Sequence, residues 1–270
     1  MTIIQALIFA LIQGLTELFP VSSVAHGVLT PFLLGWNLDP AFLKEHFLPF
    51  VVMLHLGTAV ALLLFFKDDW LGIARHLLRG KEKKTLLLIV VGTIPAGLAG
   101  LLFEKQLRHL FSNVTSAAIF LICNAALLYW GERIRKDGKK ELTDLSYPQA
   151  LLVGCFQSLA LVPGFSRSGA SIVAGLWMGL RHEAAAKFSM LLATPVIAGA
   201  AVLEVPKLAR ADMTGLFAAS LVGGAAAGIA AFASVWALMR WFRMKEFNAM
   251  LPFAVYCLLL GLTVLLVNAA

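Results

Sequence analysis

The chain has 270 residues, of which 60% are hydrophobic and 14% charged, where soluble domains average about 45–50% and about 25%. A soluble fold of this length cannot hide that much apolar surface, so part of it faces lipid, and secreted disulfide modules and disordered chains are excluded with it. The net charge of +7 forms no basic face interleaved with aromatics; Lys and Arg fall in short clusters between apolar runs, which points to membrane topology and away from nucleic acid.

The chain opens with an apolar run, residues 2–19, which ends at Pro20-Val21-Ser22-Ser23 and resumes over 24–35. It lacks a basic leader and a small-residue cleavage site, so no cleaved signal peptide is expected. Residues 47–66, 86–103 and 115–130 then read as spans, each close to the roughly 20 apolar residues a membrane helix needs. Residues 150–162 end at Pro163-Gly164, and a second arm, 169–180, follows Ser166-Arg167-Ser168. Three further spans cover 184–204, 214–239 and 250–268. Arms of 12 or 13 residues are too short to cross, so 2–35 and 150–180 are read as re-entrant helix–break–helix hairpins, whose breaks must be buried in protein or line a wet cavity.

A shift of 144 positions aligns Ala6, Gln13, Leu15 and Ser22 with Ala150, Gln157, Leu159 and Ser166, and a shift of 138 aligns Phe50 and Leu54 with Phe188 and Leu192. The expectation is an all-α integral membrane protein with about six transmembrane helices. It forms a single membrane domain over 1–270 built as an inverted-topology repeat, with repeat one at about 1–130 and repeat two at about 145–270. The loops 67–85, 131–149, 181–187 and 240–249 hold 16 Lys and Arg against 5 on the opposite side, which places those four loops in the cytoplasm and both termini outside. Cys123, Cys155 and Cys257 lie within apolar runs without paired spacing and read as small buried hydrophobes.

Ionisable side chains at membrane depth are functional candidates. Glu17 is the acid placed deep in an apolar run, and Arg167 is its basic counterpart at the other break. Gln13 and Glu17, four apart, share a helix face and suit a divalent cation through oxygen ligands. Ser22 and Ser23 start the next arm, where hydroxyls cap and free N–H groups attract anions. Ser23 and His26, three apart, suit a nucleophile beside a base. In the second break Gly164 permits close backbone approach. Arg167 offers a planar fork to phosphate, and Ser166, Ser168 and Ser171 add hydroxyls and amides to the same anion. Together these make a phosphoryl-transfer arrangement.

Both stretches resemble the signatures of the bacterial undecaprenyl-diphosphate phosphatase, or bacitracin-resistance, family. The first carries Gln13, Gly14, Glu17, Pro20, Ser22, Ser23 and His26; the second carries Pro163, Gly164, Ser166, Arg167 and Ser168. Similarity continues through Leu142–Tyr147 and Glu183–Ser189. Ser171 stands where the family usually has Thr, Val24-Ala25 where it has a small polar pair, and Cys257 where it has Arg. The resemblance implies hydrolysis of undecaprenyl diphosphate to the monophosphate and inorganic phosphate, recycling the lipid carrier of peptidoglycan synthesis and conferring bacitracin resistance. It further implies a divalent cation (Mg2+ or Ca2+), residence in the bacterial inner membrane, a site opening to the periplasmic face, and homodimers. The attacking group is left open between Ser23 assisted by His26, His26 itself, and a metal-activated water. A polyprenyl-phosphate transporter of the same architecture is the rival reading.

Overall fold

The computed structural model describes residues 2–38, 47–80, 83–103, 113–135, 138–210, 214–245 and 247–269. The first hairpin consists of α1 (Ile3–Leu18) and α2 (Ser23–Leu33). Thr2 starts α1 through a capping box with Gln5. Pro20 ends it, because a residue before proline is pushed out of the helical region, and Phe19 is extended at φ −68°, ψ 147°. Ser22 turns the chain at φ 65° and caps α2 by accepting from the Ala25 amide.

The span α3 (Phe47–Phe65) follows, then α4 (Lys67–Leu78), bent 72° from it. The sequence reading took 67–85 as a loop. Instead α4 sets Asp68 and Asp69 in its first turn and Arg75 and His76 in its last, matching the helix dipole, and it buries none of its residues. The spans α5 (Lys84–Leu102) and α6 (Val114–Arg133) lead to the second hairpin. Its arms are α7 (Tyr147–Gln157), prolonged by a 3-10 turn over Ser158–Leu161, and α8 (Arg167–Trp177). Arg167 therefore opens α8 rather than lying in the break, because Ser166 is the N-cap and accepts from the Gly169 amide. Gly164 at φ 119° makes the break: a Cβ there would sit 2.3 Å from that of Phe120, so only glycine fits both the backbone and the space. Three long helices close the chain, α9 (His182–Arg210), α10 (Thr214–Met244) and α11 (Leu251–Ala269).

Among the described residues five helices are long and apolar enough to span a membrane, and the bent α3–α4 pair makes a sixth. The protein is thus an all-α, multi-pass membrane protein. Helix α10 packs on both α1 and α3, and α11 packs on α6. A Cβ on Gly57 would lie 1.8 Å from the Gly224 carbonyl oxygen, so α3 and α10 meet backbone to backbone, as small residues allow between membrane helices. This contact holds α3 beside α1 and the first break.

Candidate active site

The two breaks, far apart in sequence, lie against each other. Glu17 ends α1 with a carboxylate only 6% exposed, and Arg167 opens α8 at 11%; Nη2 donates to Oε1 over 3.1 Å. Ser168 donates its hydroxyl to the Phe19 carbonyl at 3.0 Å. Between them lies Asn124 of α6, fully buried. Its Nδ2 donates to the Pro20 carbonyl (3.1 Å) and its Oδ1 accepts from the Ser166 amide (3.0 Å). One amide thus joins a carbonyl of the first break to an N–H of the second, and gives that buried N–H its partner.

Around Glu17 the second carboxylate oxygen, Oε2, accepts from Gln13 Nε2 (3.2 Å), from the Ser23 hydroxyl (2.5 Å) and from His55 Nε2 (3.0 Å). Gln13 and Glu17 share a face as their spacing requires, but Gln13 turns its NH2 to the carboxylate. The expected pairing of Ser23 with His26 is corrected. Ser23 turns to the Glu17 carboxyl group, a stronger acceptor than a neutral ring. His26 is held elsewhere: Nδ1 donates to the Ser22 carbonyl (2.7 Å), and Nε2 lies 2.7 Å from the Tyr256 hydroxyl, with the two rings parallel.

The remaining hydroxyls have structural partners. Ser22 and Ser166 are N-caps, Ser166 also contacts Ser168 (3.0 Å), and Ser171 donates to the Arg167 carbonyl and lies against Ser189 Oγ, both at 2.7 Å. Arg167 is steadied by donating Nη1 to the Ser189 carbonyl (3.3 Å). What the site presents to an anion is the rest of the guanidinium and the first amides of α8, which precede its first helical hydrogen bonds. Gly164 packs on Phe120 and Leu121, so its role is to shape the break. Cys257, where the resemblance leads one to expect Arg, is buried behind Pro20 with its sulfur 3.5 Å from Asn124 Nδ2.

A divalent cation held jointly by Gln13 and Glu17 does not fit these donors. Both carboxylate oxygens already accept hydrogen bonds, Gln13 offers a donor, and the described residues hold no cluster of three His, Cys, Asp or Glu ligands.

The sequence reading missed His55, Asn124, Tyr256 and Ser189. His55 and Asn124 carried a usable signal, since each is a polar side chain within an apolar span. It also passed over Glu132, a second buried acid. Glu132 accepts from the amides of Asn248 and Met250 ahead of α11, from His182 and from Arg135, and so anchors the start of α11.

A family model described as bacitracin resistance protein BacA matches residues 6–263. The chain belongs to this family. It is 54% identical over 266 residues to undecaprenyl-diphosphatase 2 of Oenococcus oeni, covering 98% of each chain. It is 48% identical to undecaprenyl-diphosphatase 2 of Chromobacterium violaceum, over 98% of this chain and 99% of that one. Undecaprenyl-diphosphatase of Acidiphilium cryptum is also 48% identical, with 97% and 96% covered. Family membership covers both breaks, so the residues gathered at their junction lie inside the matched region.

Proposed function

We propose that the chain hydrolyses undecaprenyl diphosphate to undecaprenyl phosphate and inorganic phosphate, and so recycles the lipid carrier of peptidoglycan synthesis and confers bacitracin resistance. The observation that carries the mechanism is the Ser23 hydroxyl on Glu17 Oε2 while Arg167 holds Oε1. This is a nucleophile, its base and an anion clamp in one buried group. Ser23 Oγ attacks the terminal phosphorus as Glu17 takes its proton. The bond from that phosphorus to the bridging oxygen breaks, and undecaprenyl phosphate leaves with the proton. Water then attacks the phosphoserine, restores the hydroxyl and releases phosphate. Arg167 and the first amides of α8 bear the charge on the phosphoryl oxygens.

The polyprenyl tail stays among apolar helices, and bilayer lipid surrounds the rest. A divalent cation (Mg2+ or Ca2+), when present, would supply further positive charge against the diphosphate beyond that of Arg167. The excess of Lys and Arg in four loops supports an inner-membrane orientation in which the first hairpin dips in from the periplasmic face and opens the site there. The short arms and the meeting of the two breaks support hairpins of opposite entry, the layout of an inverted repeat.

The test is phosphate release from a polyprenyl diphosphate by purified protein, followed by trapping the phosphoenzyme. A base-labile, acid-stable adduct on Ser23 is expected. An acid-labile, base-stable adduct would move the attack to His26, and no release with any divalent cation would favour the transporter.

A further inference from the structure

The second histidine at the site differs from His26 in what its hydrogen bonds demand. In His26, Nδ1–H donates to a carbonyl and Nε2 accepts from the Tyr256 hydroxyl; a neutral ring satisfies both. In His55, Nδ1 lies 2.8 Å from the Val51 carbonyl oxygen, which only accepts, so Nδ1 carries a hydrogen. Its Nε2 is then a lone pair in the neutral ring, yet it lies 3.0 Å from Glu17 Oε2, which is also a lone pair when the carboxylate is ionised. Two acceptors do not approach to hydrogen-bond distance within a buried site. One proton must lie between them, as imidazolium on carboxylate or as carboxylic acid on imidazole.

We infer that His55 is a positioning residue of the phosphatase site: it fixes Glu17 Oε2 beside the Ser23 hydroxyl while Arg167 holds Oε1. A carboxylate gripped from both sides cannot rotate away from Ser23, so the base is already in place when the hydroxyl attacks. The backbone contact of Gly57 with Gly224, two residues along the same helix, holds α3 at this distance from α1.

The inference rests on the proposed hydrolysis, and wild-type phosphate release in the same assay separates the two. If wild type releases none, the function has failed; if it does and the variants behave alike, only the role of His55 has. Two variants are compared in detergent, with thermal unfolding as the control for folding. His55→Ala removes the clamp and is expected to lower kcat/KM about 10- to 100-fold, the range for one hydrogen bond to a charged group. His55→Gln supplies an amide donor to Glu17, so it is expected to recover most of that loss. Wild-type kcat/KM in His55→Ala would overturn the positioning role, and so would a folded His55→Gln as slow as His55→Ala. If His55→Ala does not fold, His55→Gln carries the test alone: kcat/KM more than about tenfold below wild type would overturn the role.

Discussion

Replacing Asn124 with alanine tests how far the meeting of the two breaks depends on one side chain. Asn124 is fully buried and makes the hydrogen bonds of 3.1 and 3.0 Å to the Pro20 carbonyl and the Ser166 amide. Its removal leaves the Ser166 amide buried and unpaired and the Pro20 carbonyl with only the long contact of Cys257 Sγ at 3.9 Å, at about 1–3 kcal/mol for the first and less for the second, or about 2–4 kcal/mol in all. Against a total stability of about 5–15 kcal/mol for a folded domain, that is a large fraction. The same substitution frees the second break to shift from the first, and a shift that costs Arg167 its alignment with Glu17 lowers kcat/KM about tenfold for each 1.4 kcal/mol lost in the transition state. Thermal unfolding in detergent and phosphate release at saturating and limiting substrate are the assays. Asn124→Asp, which keeps an acceptor for Ser166 but sets an oxygen against the Pro20 carbonyl, is expected to be impaired as well. A variant Asn124→Ala that melts with wild type and retains its kcat/KM would refute the reasoning.

Tyr256→Phe removes the hydroxyl beside His26 Nε2 and is expected to keep kcat within about tenfold of wild type, since one neutral hydrogen bond contributes about 1 kcal/mol; a loss as complete as that of Ser23→Ala would put His26 at the reacting phosphorus. Gln13→Ala deletes a donor to Glu17 and is expected to slow the reaction without changing the concentration of Mg2+ or Ca2+ that half-activates it. A weakened cation response would make Gln13 a ligand. Glu132→Gln, which disturbs the carboxylate that anchors the start of α11, is expected to lower the melting temperature while the folded fraction keeps its wild-type KM, measured by titrating substrate on each variant.

Hydropathy and two prolines made the outline legible. Pro20 and Pro163 mark where apolar runs too short to span are broken, and both breaks occur there. Glu17 and Arg167 stood out because charge at membrane depth is rare, and they meet at 3.1 Å. The pairing of Ser23 was misread because spacing along α2 says which side chains share a face, not which neighbouring helix offers a stronger acceptor. His55 obeys the same rule that exposed Glu17, but a histidine in an apolar span carries no formal charge in a count of Lys, Arg, Asp and Glu. Asn124 is a lone amide in the 115–130 run, and its importance depends on which carbonyl and amide arrive beside it from distant segments. Tyr256 meets His26 across 230 positions, where no local pattern could announce it. Helix α4 was taken as a loop because its charges drew attention away from the apolar positions Trp70, Leu71, Ile73 and Leu77 recurring at helical spacing.

The most direct measurement is an experimental structure of the protein with a polyprenyl methylene-bisphosphonate, whose terminal phosphorus cannot be cleaved from its neighbour. One terminal phosphonate is expected to be bonded by Arg167 and the first amides of α8 while its phosphorus faces Ser23 Oγ in line with the bridging carbon. A headgroup bound away from Arg167, with Ser23 Oγ out of reach of the phosphorus, would contradict it.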